Sequence, residues 1–434
     1  MHSLEWVRFL SSPITRIGRK AGNVLQAISQ VYQGWTGDRR RFFHFGLIVG
    51  SNQLACREAG TADNANRILG SPVSRYGRRS QFEKASRHLR TTRTPESSSS
   101  RTPLADSRGI LTPSSLHFER HHAGVPTIDP DEHRLLVHGM VERPLVFTVA
   151  DLKRLPSVSR VCFIECAGNG GSEWGPRTAP DVQQSHGLAS CSEWTGVPLS
   201  VLLTEAGARA GSSWLLVEGA DACKMQRSVP IQKAMDDAIV AYGQNGEALR
   251  PEQGYPVRLV LPGWEGNTSV KWLRRIKVWD RPHMTRDETS RYTELLRDGR
   301  SRQFSFVMEV KSVITFPSGR LKLPGPGHFE IRGLAWSGRG AIERVEVSTD
   351  AGRTWLHAEV QEPRLRKAFT RFRFPWRWEG GPAVLQSRAI DDQGYRQPTV
   401  AELIAARGAN SAYHNNAIKG WRVAADGWVS SASG

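Results

Sequence analysis

Near residue 304 the sequence changes its period. Between 103 and 303, short apolar runs (RLLVHGM, SWLLVEGA, YPVRLVLPG, IKVWD) alternate with helix-like segments such as LSVLLTEAG. That mixture predicts an α+β domain. From about 305, HFEIRGLAW, AIERVEVSTD, TWLHAEV, TRFRFPWRW and AVLQSRAID alternate with period two and are joined by Gly, Asp or Pro turns. Successive side chains of a strand point to opposite faces, so each of these strands buries one face only. A series of such strands predicts an immunoglobulin-like β-sandwich over 304–430. Within it, STDAGRTW reads as a hairpin turn between two strands.

The first 102 residues form a third, basic region. Residues 1–101 hold 17 Lys and Arg against 6 Asp and Glu, so the net charge of +17 is mostly N-terminal. No nucleic-acid-binding motif accompanies the charge, and nucleic acid is not the expected partner. Residues 71–110, with PESSSSRTP, read as an extended linker or arm. Upstream, DRRRFFHFGLIVGSNQLAC places Arg39 and Arg40, then one intervening residue, then Phe42 and Phe43 and a short apolar run. This order resembles a twin-arginine export signal over about 38–56 and implies a periplasmic location. No apolar run approaches the roughly 18 residues of a transmembrane helix, so no membrane span is expected.

Three patches could carry chemistry. The first is Phe118-Glu119-Arg120-His121-His122. Adjacent histidines in a strand face opposite ways, which favours surface positions over a shared site. The second is VCFIECAGNGGSEW, where Cys166 follows an apparent strand and precedes a glycine-rich stretch. Cys166 suits a buried structural thiol, a nucleophile or a soft metal ligand. The third is YPVRLVLPGWEGNTSVKWL, where Arg258 and Lys271 bracket a Gly-rich loop. An Arg fork and a Lys point charge can cradle phosphate oxygens, and they can equally be solvated. Five cysteines, odd in number and sparse, form no disulfide framework. Without CxxCH the chain carries no c-type haem attachment site of its own.

Taken in this order, the patches resemble the sulfite oxidase family of molybdenum enzymes. FERHHAGVPTIDP is similar to the family's pterin-binding segment, ECAGN to its cysteine motif, and GYPVRLVLPGWEGNTSVKWL to its Pro-Val-Arg…Val-Lys-Trp-Leu segment. GLAWSGRGAIERVEVSTDAGRTW is similar to the family's dimerisation domain, which extends the resemblance over roughly 103–425. It implies a molybdenum–molybdopterin cofactor with Cys166 as the one protein thiolate on the metal. His121, His122, Asp221, Arg258, Ser269 and Lys271 would hold the pterin and its phosphate. Arg120 would face the oxyanion substrate, and Tyr292 falls at the family's active-site tyrosine. A homodimer through the C-terminal domain is also implied.

The departures carry information too. Where sulfite oxidases have an arginine five residues beyond the cysteine, this chain has Gly171. Gln184 stands at their pocket tryptophan and Gln253 at a pterin-contacting histidine, and a further substrate arginine falls among Arg371, Phe372 and Arg373. The expected pocket is wider and less cationic, suited to sulfur presented on something larger than sulfite. These departures resemble one subgroup, the molybdenum subunits of sulfane dehydrogenases of the bacterial Sox system. That resemblance implies oxidation of sulfane sulfur bound to a carrier protein, with electrons passing to a separate c-type cytochrome. The alternatives are a dehydrogenase of free sulfite and, in another class, a non-enzymatic anion- or nucleic-acid-binding module.

Overall fold

The computed structural model describes residues 69–92, 94–175, 179–409 and 411–432. The chain divides into two units, Met1–Arg79 and Ser80–Gly434. In the first, residues 69–79 contain no helix or strand, and the stretch read as an export signal lies outside the described residues.

The second unit begins with three short antiparallel strands, β1 (His88–Arg90), β2 (Ser99–Arg101) and β3 (Glu119–Arg120). The stretch 71–110, expected as a linker or arm, therefore carries strands from residue 88. Ser99, Ser100, Arg101 and Thr102 are buried. They are satisfied by hydrogen bonds: Ser100 Oγ donates to Glu119 (3.2 Å) and Thr102 N to the Gly187 carbonyl (2.8 Å). A polar strand held this way has a linker's composition, which is why the sequence does not announce it.

Ten further strands form two sheets: β4 (Leu135–Gly139), β5 (Leu145–Phe147), β6 (Val158–Glu165), β7 (Ala189–Pro198), β8 (Trp214–Gly219), β9 (Gln226–Pro230), β10 (Ile239–Gln244), β11 (Glu247–Ala248), β12 (Arg258–Val260) and β13 (Leu273–Trp279). One sheet runs β5-β4-β13-β8-β9, the other β11-β10-β7-β6 with β12 beside β10. LSVLLTEAG forms the helix Leu199–Ala206, buries Leu199, Leu202 and Leu203, and ends on Gly207 at φ 67°. Glycine enters this left-handed conformation without strain. Among the described residues no helix is long and apolar enough to cross a membrane.

After the hairpin of β14 (Glu294–Leu295) and β15 (Ser301–Arg302) comes the sandwich: β16 (Lys311–Phe316), β17 (Gly327–Trp336), β18 (Ile342–Ser348), β19 (Leu356–His357), β20 (Glu359–Val360), β21 (Thr370–Trp378), β22 (Ala383–Asp391), β23 (Gly420–Val423) and β24 (Val429–Ala432). Its sheets are ordered β16-β17-β21-β20 and β19-β18-β22-β23-β24. The expected hairpin joins β18 to β19, with Ser348 Oγ accepting from Gly352 N (2.8 Å) and Asp350 Oδ1 from Thr354 N (2.9 Å).

The sheets separate near residue 304, but the apolar core does not. Leu104, Phe163, Val182 and Ala189 from the first half pack into one cluster with Trp336, Phe369, Leu385 and Trp421 of the sandwich. Beside them, Lys311 and Trp336, register partners on β16 and β17, both reach the fully buried Glu165 at the end of β6. Lys311 Nζ lies 2.5 Å from Glu165 Oε1, and Trp336 Nε1 donates to Oε2 at 2.7 Å. Breaking a buried pair leaves an uncompensated charge, so Lys311→Ala is expected to cost about 3–5 kcal/mol. The double variant Glu165→Gln/Lys311→Met should lose much less. Urea unfolding midpoints compare the two, and equal losses would show that the charge pair is not the source.

Candidate active site

Cys166 stands one residue beyond β6, where the chain turns. Its amide donates to the Leu188 carbonyl (2.9 Å), and its own carbonyl accepts from Asn169 N (2.9 Å). Asn169 locks the turn: its Nδ2 donates to Glu165 Oε1 (2.9 Å) and its Oδ1 accepts from Leu188 N (3.0 Å). The thiol is only partly exposed. Burial raises its pKa, while the Gly168 amide and Arg120 act to lower it. Its surroundings thus disfavour a free thiolate unless a cation or metal holds the charge.

A cavity opens at this thiol. Its wall includes all nine residues singled out in the sequence: Arg120, His121, His122, Cys166, Asp221, Arg258, Ser269, Lys271 and Tyr292. The two histidines share it because β3 ends at Arg120, which frees them from strand alternation. His121 Nε2 lies 2.7 Å from Glu119 Oε2, and its Nδ1 lies 2.9 Å from Lys271 Nζ. His122 Nε2 lies 3.3 Å from Tyr292 Oη. Burial, then Arg120 and Arg291, hold the His122 pKa down at about 4, so this ring is neutral at pH 7. Burial, with Cys166 next, raises the Tyr292 phenol well above its usual range. It therefore remains a proton donor.

Away from the thiol the wall is cationic. Gly254, at φ 110°, allows the close approach of Arg258 and Lys271, because a Cβ there would lie 3.0 Å and 3.1 Å from their Cβ atoms. Arg258 spends its donors on the carbonyls of Gln253 (3.0 Å) and Ser269 (2.9 Å) and stacks over Trp194. Lys271 donates to the Glu252 carbonyl (3.0 Å) and lies over Trp272. Desolvation brings Arg258 down to about 9. Desolvation and then Arg258 bring Lys271 down to about 7. Two buried cations bonded to carbonyls favour an incoming anion, whose charge would offset their desolvation.

Gln253, which stands at the family's pterin-contacting histidine, also lines this wall, as do His117 and Asn267, which the sequence did not mark. Burial drives the His117 ring down to about 3. The neutral ring has Nδ1 3.0 Å from the Phe118 carbonyl, which makes Nδ1–H the donor. Nε2 is left as a buried acceptor without a partner, as is Asn267 Oδ1. Such atoms suit a bound group with ring or amine N–H donors.

Residues 122–286 match the family model described as "Oxidoreductase molybdopterin binding domain", and residues 302–420 the one described as "Mo-co oxidoreductase dimerisation domain". The crystal structure of the sulfane dehydrogenase SoxCD from Paracoccus pantotrophus is 46% identical, with a TM-score of 0.84, over 88% of this chain and 99% of that one. The chain belongs to the sulfite oxidase family. It is a molybdopterin oxidoreductase, and its molybdopterin-binding domain implies a molybdenum–molybdopterin cofactor. Rat mitochondrial sulfite oxidase is 32% identical over 70% of this chain and 60% of its own length. The NADH nitrate reductase of Ulva prolifera is 31% identical over 59% of this chain. The chain spans 34% of that nitrate reductase and 60% of that sulfite oxidase.

This molybdopterin oxidoreductase departs from expectation at Gly171. No extra width opens there, because a Cβ at Gly171 would come 3.3 Å from the Ala412 carbonyl. Residues 411–416, from the sandwich side of the chain, lie over the glycines and hold Tyr413 beside Tyr292, with ring centroids 5.4 Å apart. The two arginines considered as substrate ligands are elsewhere. Arg371 bonds the Ser107 and Gly109 carbonyls, and Arg373 pairs with Glu359 (2.8 Å). Nothing in YHNN distinguishes the covering segment from a surface loop.

Lys271 gives the site a pH dependence. In the unfolded chain a lysine titrates near 10.4, so above about 7 the folded site has already lost the proton. A bound anion needs the ammonium form and must take up that proton. Sulfate, a dianion throughout, should bind cofactor-free protein up to about tenfold more weakly per pH unit between 7 and 9. Calorimetric titrations of wild type and Lys271→Met check this, and the variant's profile should be flat.

Proposed function

We propose that this molybdopterin oxidoreductase is a sulfane dehydrogenase subunit that oxidises sulfur held as a persulfide on a carrier protein. The observation that carries this reading is the 46% identity to a sulfane dehydrogenase across 99% of that chain. Gly171 supports it. A free dianion such as sulfite is best held by several close cations, and at this wall the chain offers a carbonyl and a phenol instead of an arginine.

The residues fit the cofactor at both ends of the cavity. Cys166 would hold molybdenum by its sulfur, a soft donor matched to a soft site. Arg258, Lys271 and Ser269 would hold the phosphate, while His121, His122 and Asp221 would line the pterin. When bound, the molybdenum–pterin group supplies the two-electron redox chemistry. The chain's own residues bind, orient and manage protons. Arg120 stands over the thiol end and attracts a negatively charged sulfur. The Tyr292 hydroxyl, paired with neutral His122, donates a hydrogen bond toward the reacting sulfur. Each oxygen gained by the sulfur comes from water, with release of two protons and two electrons.

The electrons would go to a separate c-type cytochrome subunit, and the sandwich would pair two copies of the chain. The Arg39–Phe43 motif supports export by the twin-arginine route to the periplasm.

Cys166→Ser should abolish oxidation of the persulfide, a loss beyond the roughly 10–100-fold caused by changes around a metal's ligands. Metal analysis should show molybdenum depleted. Full activity and metal content in this variant would overturn the ligand role. Turnover of free sulfite with micromolar KM, and none of a protein-borne persulfide, would favour a sulfite dehydrogenase.

A further inference from the structure

The segment Ser411–Asn416 packs on the turn that follows Cys166, and its Tyr413 ring adjoins Tyr292 of the cavity wall. The His414 amide donates to the Ala167 carbonyl at 2.8 Å, one residue past Cys166. Cβ atoms at Gly170 and Gly171 would come 3.2 Å and 3.3 Å from the carbonyls of Asn415 and Ala412. Gly170 also needs its φ of 76°, and a side chain at either glycine would push against the segment.

The segment is also tied to β14, the strand that begins two residues after Tyr292. Glu294, buried two residues beyond that tyrosine, accepts from Ser411 Oγ (3.1 Å) and from Arg407 Nη1 (2.6 Å). On the other side Asn416 Nδ2 donates to the Val310 carbonyl (3.1 Å). These bonds fix Tyr413, half-buried, with its ring tilted 41° against Tyr292. Burial, followed by the nearby Cys166 thiol, raises the Tyr413 hydroxyl above its usual range, so it stays uncharged.

We infer that Ser411–Asn416 is a selecting wall and that Tyr413 is its specificity-determining residue, admitting sulfur on a thiol and disfavouring free sulfur oxyanions. The inference rests on the sulfane reading for its favoured substrate. The physical reason lies in what the wall presents. The face of the Tyr413 ring beside Tyr292 is electron-rich, so it disfavours a compact dianion that has just lost its water. A polarisable sulfur of low charge packs well against aromatic rings.

The test replaces Tyr413 in the molybdenum-loaded holoenzyme. Steady-state kinetics are measured with sulfite and with a cysteine persulfide on a small single-cysteine protein. Tyr413→Arg should raise kcat/KM for sulfite by about tenfold, the scale of one pocket contact, mainly through a lower KM, and should lower it for the persulfide. If Tyr413→Arg loses molybdenum, Tyr413→Gln removes the ring without adding charge. Its KM for the persulfide should then rise about tenfold relative to its KM for sulfite. A sulfite-to-persulfide ratio unchanged within about twofold in a fully loaded variant would overturn the inference. A wild type inactive on persulfide would sink the sulfane reading alone, since a lower sulfite KM in Tyr413→Arg would still support the wall.

Discussion

Everything at the site hangs from one buried carboxylate. Glu165 is the last residue of β6 and immediately precedes Cys166, so its position sets that of the thiol. Its oxygens are taken by Lys311 and Trp336 from the sandwich and by Asn169 from the cysteine turn. A carboxylate without access to water must have its lone pairs filled. The contacts that fill them join the two halves of the unit. The cysteine loop is thus clamped from both sides, and the second domain is part of the active-site architecture.

The rest of the cavity is a separation of charge and softness. One end gathers two cations that face carbonyls and aromatic rings, an arrangement costly until an anion arrives. The other end offers a single sulfur beside a phenol and one cation, Arg120. An elongated group with a phosphate at one end and a soft metal at the other would satisfy both. It would also meet the unpaired His117 Nε2 and Asn267 Oδ1 on the way.

Much of this was legible in the sequence, for a physical reason. Period-two alternation reports burial on one face, and it marked the strands of the sandwich. Apolar runs such as RLLVHGM and SWLLVEGA became β4 and β8. Residues in three short motifs line one cavity because each sits at the end of a strand or in a tight turn, where local sequence fixes geometry. What stayed hidden depends on distant contacts. Ser99–Thr102 read as linker because polar residues buried by hydrogen bonds leave no hydropathy signal. The apolar core crosses the boundary near 304 through Phe163 and Phe369, and periodicity says nothing of what lies beyond a strand's own face. Read alone, Gly171 suggested empty space.

That last point changes what a missing arginine means. Removing a large side chain leaves a cavity only if nothing else moves in, and protein interiors are packed too densely to leave such space idle. Here the glycines and the covering segment are complementary, since the segment fits only where side chains are absent. The substitution therefore does more than subtract a positive charge. It exchanges a flexible cation for fixed carbonyls and a ring, and these are anchored through Glu294 to β14, just beyond Tyr292. A pocket altered this way changes in sign and stiffness rather than in size.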